Sequence, residues 1–186
     1  MSFASQINFH KLQGCGNDFI FVDLREVTIE ESQMPELATL ACKRAFGVGA
    51  DGMAFLEPTP DDPELDFKWH FFNSDGSRAE MCGNASRCVS LLAHKIGLAG
   101  TEMVFGTDAG PIKAQVDAEG QKSRVRLTPP HDLKTSLVAE VDGQSLDIQS
   151  VNTGVPHAVA IMEDVQATDV DQLGKTLRYH DLFAPA

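Results

Sequence analysis

Apolar residues recur along this chain with two periods, and the switches between them outline the elements. Ile7-Asn8-Phe9-His10-Lys11-Leu12 alternates in polarity and predicts a strand. Gly14 to Asp18 reads as a turn, and Phe19 to Asp23 as a second strand. Pro35 to Arg44 has helical spacing, with Leu37, Leu40 and Ala41 on one face, and Gly47-Val48-Gly49-Ala50-Asp51-Gly52 ends it. Met53 to Glu57 predicts a short strand. Phe67 to Asn73 predicts another, with Phe67, Trp69 and Phe71 on one side and a tight turn over Asn73 to Ser77 after it. Ala85 to Lys95 is apolar on nearly every side, so it predicts a helix enclosed by protein and starting close to Cys82-Gly83.

Beyond Gly100 the period returns to two. Strands are expected at 103–107, 111–117 and 123–127, then at 137–141, 145–151 and 158–162, with a short helix over 170–179. Thr128-Pro129-Pro130 is the natural boundary, because a proline pair interrupts both helix and sheet. This divides the chain into 1–127, which holds the enclosed helix, and 128–186. The second segment is small for a free-standing domain and has no enclosed helix of its own, so it reads as the start of a truncated half.

Composition narrows the function. Apolar residues make up 42% and charged residues 23% of the chain, values that support a folded core. Fifteen basic residues against 27 acidic ones give a net charge of −12 with no basic stripe, which argues against nucleic acid as a partner. A charged start leading into an apolar stretch is absent, as is any apolar run of membrane-spanning length, so a cytoplasmic protein with no membrane partner is expected. The four cysteines, Cys15, Cys42, Cys82 and Cys88, include no Cys-x-x-Cys pair and no neighbouring His cluster at zinc-ligand spacing. Cys42 and Cys88 read as small buried hydrophobes. Cys15, among glycines near a candidate site, is also read as structural.

Cys82-Gly83-Asn84 is different. A helix start carries unpaired N–H groups and the positive end of the helix dipole, and both favour an anion. Thiols in such places are readily deprotonated and serve as bases, while the same N–H groups can hold a carboxylate. Gly83 leaves room for a ligand to approach. Asn17 and Asn73 lie in polar turns, where each side chain can make its own turn or bind a zwitterionic amino acid. His157, in the turn Asn152 to His157, is either a structural residue or a modulator of a nearby thiol. His10, His70, His94, His131 and His180 have no such context and read as structural. Gly47-x-Gly49-x-x-Gly52 has dinucleotide-loop spacing but follows a helix and opens none, so it predicts no nucleotide site.

These motifs, taken in order, resemble the diaminopimelate epimerase family of pyridoxal-phosphate-independent racemases. The resemblance is carried by Lys11 to Phe19, Arg44 to Gly52, Phe72 to Ser77, Met81 to Cys88 and Val151 to His157. It implies an α+β fold of two similar halves, each a curled, mostly antiparallel sheet around a central helix, with the second half incomplete here. It also implies a small-molecule amino-acid substrate, LL-diaminopimelate converted to meso-diaminopimelate, as in lysine and cell-wall precursor synthesis. No cofactor and no metal are implied, and a homodimer stays open. Cys82 falls at the position of one catalytic thiol and His157 at a position that tunes the thiols, with Asn17, Asn73, Gly83 and Asn84 at substrate-binding positions. The second thiol motif of the family would lie beyond Ala186, so the fragment alone is expected to be inactive.

Two positions depart from the pattern. Val155 stands where the family often has Asn, with Asn152 a candidate to compensate, and Ala85 stands where Gly is common. Two other functions stay open at this point: a racemase of the same fold acting on another amino acid, and a non-catalytic amino-acid-binding module. Six residues apart across a helix, Cys82 and Cys88 are poorly placed to form a redox pair.

Overall fold

The computed structural model describes residues 6–141 and 143–183. It divides into two compact units, Met1–Thr128 and Pro129–Ala186. In the first unit the order is β1 (His10–Gly14), β2 (Asn17–Asp23), α1 (Met34–Cys42), β3 (Gly52–Pro58), β4 (Phe67–Asn73), α2 (Gly83–Lys95), β5 (Glu102–Thr107), β6 (Gly110–Val116) and β7 (Ser123–Arg126). The seven strands form one sheet in sequence order. Four pairings are antiparallel, whereas β2 with β3 and β4 with β5 run parallel. A helix in each of those two connections carries the chain back to the same end, as a parallel pairing requires.

Strand alternation sorts side chains onto two buried faces. Phe19 and Phe21 of β2, Ala54 and Leu56 of β3, and Phe67, Trp69 and Phe71 of β4 pack in one core with Ala85, Cys88, Val89 and Leu92 of α2. The residues between them, Ile20, Val22, Met53, Phe55 and Phe72, pack on the other face with Met34, Ala38 and Cys42 of α1. Burial on both faces explains why Phe19 to Val22 is an unbroken apolar run. The sheet curls, since α2 touches β1 and β2 near one edge and β6 and β7 at the other. This is the enclosed helix that its all-round apolarity predicted. The β4–β5 pairing is brief, two residue pairs long.

Several boundaries differ from expectation. The first strand begins at His10 rather than Ile7, and Phe9 is left 46% exposed. On α1 the buried stripe is Met34, Ala38 and Cys42, four residues apart, while Leu40 faces outward at 53% exposure. Leu37 and Ala41 of the expected face do pack, partly buried, against that core, and only Leu40 points away from it. The glycine-rich loop after α1 folds back along the helix end, with Gly47 and Gly49 donating to Lys43 O and Ala41 O. A Cβ on Gly47 would stand 2.6 Å from Ala41 O, so this close passage accounts for the glycine.

In the second unit β8 (His131–Val141), β9 (Gln144–Asn152) and β10 (Pro156–Ala160) form an antiparallel sheet in the order β10-β9-β8. Helix α3 (Val170–Arg178) is capped by the Asp169 side chain, which accepts from Gln172 N. Its Leu177 and Leu173 pack with Ala139, Val141 and Ile148. The strand expected over 137–141 is longer, starting at His131 with two irregularities in its pairing.

Candidate active site around the start of the enclosed helix

Cys82 is the N-cap residue of α2, with extended backbone (φ −141°, ψ 118°), and its carbonyl accepts the first helical bond from Ser86 N at 2.8 Å. Among the described residues no side chain caps this helix start. Its first N–H groups and the positive end of the dipole therefore lie beside a half-buried sulfur. At the other end His94 and Lys95 complement the dipole. The thiol thus stands at the opening of the helix, packed half-buried against the core rather than sealed within it.

The β1–β2 hairpin is brought to this helix start by two local features. Its two-residue loop, Cys15-Gly16, has positive φ at both positions (53° and 92°), the geometry of a tight hairpin turn. The residue before the loop, Gly14, rests against the helix, where a Cβ would lie 2.9 Å from Cys88 Sγ and 3.2 Å from Asn84 O. Asn17, which opens β2, consequently reaches α2: Asn84 Nδ2 donates to Asn17 Oδ1 at 2.7 Å. Asn17 Nδ2 in turn donates to Asp51 Oδ2 at 3.0 Å.

Asp51 joins this region to the β4 turn. Its carbonyl accepts from Ser74 N at 3.1 Å, directly after Asn73, and its own N–H donates to Asp18 O. Asn73 donates through Nδ2 to Ser77 Oγ at 3.0 Å, so its side chain organises its own turn. Arg44 braces the cluster, bonding both oxygens of Asp18 and reaching Asp51 Oδ1 at 2.9 Å. That guanidinium, aided by Lys11, holds the Asp18 carboxyl at about 2 against an opposing burial effect. Arg87, on the first turns of α2, donates to Asn84 Oδ1 and to Cys15 Sγ, the latter at 3.3 Å. Asn17, Asn84 and Cys82 are therefore grouped at one helix start, and Asn73 is tied to them through Asp51.

The other thiols fall into two kinds. Cys42 and Cys88 are buried, and burial pushes both up to about 11. Cys15 is exposed at the hairpin tip, in contact with Arg87.

His157 belongs to the second unit, at the second position of β10. It is exposed, with Nδ1 2.6 Å from Val155 O and 3.4 Å from Thr153 Oγ1. Asn152 Oδ1 accepts from Gly154 N at 2.8 Å and shapes the turn before His157. That bond is local, so the carbonyl oxygen of Asn152 is occupied within its own turn. Sequence reasoning missed Arg87, Asp51 and Arg44 as members of the site. Arg87 and Asn84 are three apart on one helix, a spacing that signals contact, but the link from Arg44 to Asp18 becomes visible only in the fold.

Among the described residues no helix is long and apolar enough to cross a membrane, and no group of three or more His, Cys, Asp or Glu is placed to hold a metal ion.

A sheet curled around one helix is an arrangement this chain shares with solved structures. A probable proline racemase from Agrobacterium radiobacter K84 superposes with a TM-score of 0.66 over 91% of this chain and 53% of its own, at 16% identity. That likeness establishes the fold. The diaminopimelate epimerase model matches residues 9–132, and the chain belongs to the diaminopimelate epimerase family. Among curated relatives, the diaminopimelate epimerase of Aquifex aeolicus (strain VF5) is 44% identical over 185 residues, 96% of this chain and 66% of the relative. That of Hydrogenobaculum sp. (strain Y04AAS1) is 36% identical over 183 residues, 94% of this chain and 65% of the relative. The chain thus spans just under two thirds of the length of these relatives.

Proposed function

We propose that this chain supplies the first thiol and a substrate-binding face of a diaminopimelate epimerase, an isomerase that needs no cofactor. The observation that carries the reading is Cys82 at the uncapped start of the enclosed helix, with the joined amides of Asn17 and Asn84 beside it. Membership of the family and the names of its relatives support diaminopimelate as the substrate, taken here in its LL form.

In this reading the substrate carboxylate binds the N–H groups of Gly83 and Asn84, with Asn17 and Asn73 completing the grip. The Cys82 thiolate removes the α-proton from one face, and a thiol on the opposite face returns a proton, which inverts the centre. An α-proton of an amino acid is a very weak acid, so charge building toward the carboxylate requires donors already in place. His157 is assigned a tuning role on the thiols.

The test is solvent deuterium incorporation at the α-carbon of LL-diaminopimelate by the complete enzyme and by its Cys82→Ala variant. Exchange in the first and a loss of about a thousandfold or more in the second are expected for removal of an acid/base group. Undiminished epimerisation by the variant overturns the role of Cys82. Binding without exchange by the complete enzyme identifies a binding module, and exchange confined to another amino acid identifies a different racemase. Residues 1–186 alone are expected not to invert the substrate: Cys42 and Cys88 are buried thiols that hold their protons, and Cys15 is engaged by Arg87 at the hairpin tip.

A further inference from the structure

We infer that Arg87 and Asp51 are positioning residues that set which way the side-chain amides of Asn17 and Asn84 face. An asparagine amide is nearly symmetric in shape but not in chemistry: a half-turn exchanges two donors for an acceptor. Here the two amides lie in series. Arg87 donates to Asn84 Oδ1, Asn84 Nδ2 donates to Asn17 Oδ1, and Asn17 Nδ2 donates to the Asp51 carboxylate. Guanidinium has no acceptor and carboxylate has no donor, so both ends of the series are fixed in polarity. One end dictates that Asn84 shows its oxygen to Arg87, and the other dictates that Asn17 shows its nitrogen to Asp51. The central bond could also form with both amides reversed, so it is the two charged ends that choose its direction.

Asp51 is itself held. It accepts from Asp18 N at 3.2 Å and from Arg44 at 2.9 Å, and with Asn17 these partners keep its carboxyl ionised below the usual carboxylate range. Each asparagine retains one N–H at a fixed place after these bonds are made. A carboxylate that meets those two N–H groups is recognised, whereas a flipped amide would present it with a carbonyl oxygen. The inference rests on the functional reading above for its purpose, but the wiring can be measured without any turnover.

The experiment follows side-chain amide hydrogen exchange of Asn17 and Asn84 by NMR in the 186-residue chain and in Arg87→Lys, Arg87→Met and Arg87→Glu variants. Lysine keeps a donor and is expected to leave both amides protected. Methionine removes the donor, so Asn84 is expected to exchange about tenfold faster while Asn17 stays held by Asp51. Glutamate places an acceptor at each end of the series, which cannot then be satisfied, and about tenfold faster exchange is expected at Asn17 too, although Arg87 does not touch it. Equal behaviour of Asn17 in the methionine and glutamate variants overturns the inference, as does loss of protection in the lysine variant. If the glutamate variant does not fold, the contrast between lysine and methionine at Asn84 decides.

A parallel titration with meso-diaminopimelate keeps the two claims apart. Weaker binding in the order lysine, methionine, glutamate is expected. The predicted exchange pattern with no binding by the complete enzyme or by its Arg87 variants would sink the functional reading and leave the wiring intact.

Discussion

Gly14 and Cys88 lie so close that an added Cβ on the glycine would stand 2.9 Å from the sulfur. This contact seats the β1–β2 hairpin on α2 and so brings Asn17 to Asn84. Gly14→Ala is expected to destabilise the first unit by about 1–3 kcal/mol, as overpacking does, and to weaken ligand binding by shifting Asn17. Adding Cys88→Ala removes the nearer clash and should recover part of the loss. Chemical denaturation of the two single variants and the double variant reads the coupling, and strict additivity would show that the pair does not interact.

Thiol reactivity separates the four cysteines. Cys15 is exposed and Cys82 half-buried, whereas Cys42 and Cys88 are buried and raised to about 11 by that burial. A disulfide reagent at pH ~8 should titrate two thiols in the folded chain and four after denaturation. Cys82→Ala should lower the folded count by one. Rapid reaction of all four would contradict the packing around α1 and α2.

Acid should loosen the site before it unfolds the core. Asp18 is held at about 2, chiefly by Arg44, against an ordinary 3.8. A depressed carboxylate contributes stability above its unfolded value, and the contribution is lost as pH falls through the folded one. The Arg44–Asp18 pair is therefore expected to add a small, solvent-screened contribution at neutral pH and to fade between pH ~4 and ~2. Arg44→Met should lower the denaturation midpoint at pH 7 and make little difference at pH ~2. An unchanged gap at both pH values would refute the assignment.

Ser86 gives a prediction of opposite sign. Its hydroxyl is fully buried and has no hydrogen-bond partner among the described residues. Ser86→Ala removes an unpaired polar atom and improves helix propensity, so it should be neutral or stabilising by about 1 kcal/mol. A loss of stability above about 1 kcal/mol would mean that the hydroxyl has a partner after all.

Much of this fold is legible in the chain. β4 occupies Phe67 to Asn73 as its alternation predicts, and α2 is enclosed as the apolarity of Ala85 to Ile96 requires. The beginning of β8 is not legible, because residues 131–136 are all exposed and leave no period to read. Leu40 misled because its size suggested burial, while the buried stripe of that helix is Met34, Ala38 and Cys42. In the site, Cys82, Gly83 and Asn84 announce themselves by position at a helix start. Asp51 does not, since its bond to Asn17 crosses 34 residues, and Arg87, although three residues from Asn84, matters only through the Asn84–Asn17 bond across 67. Chain order carries no such information.

Where β4 meets β5 the backbone ladder is only two residue pairs long, and one of those pairs is Phe67 with Phe105. Their rings stack 5.2 Å apart and 7° from parallel, and Trp69 meets Phe105 edge-on at 5.4 Å. Cohesion at this seam accordingly comes from aromatic faces more than from amides. Such contacts yield readily to cold and to urea, so the first crack in the sheet should open there, splitting four strands from three while each group keeps its own ladder.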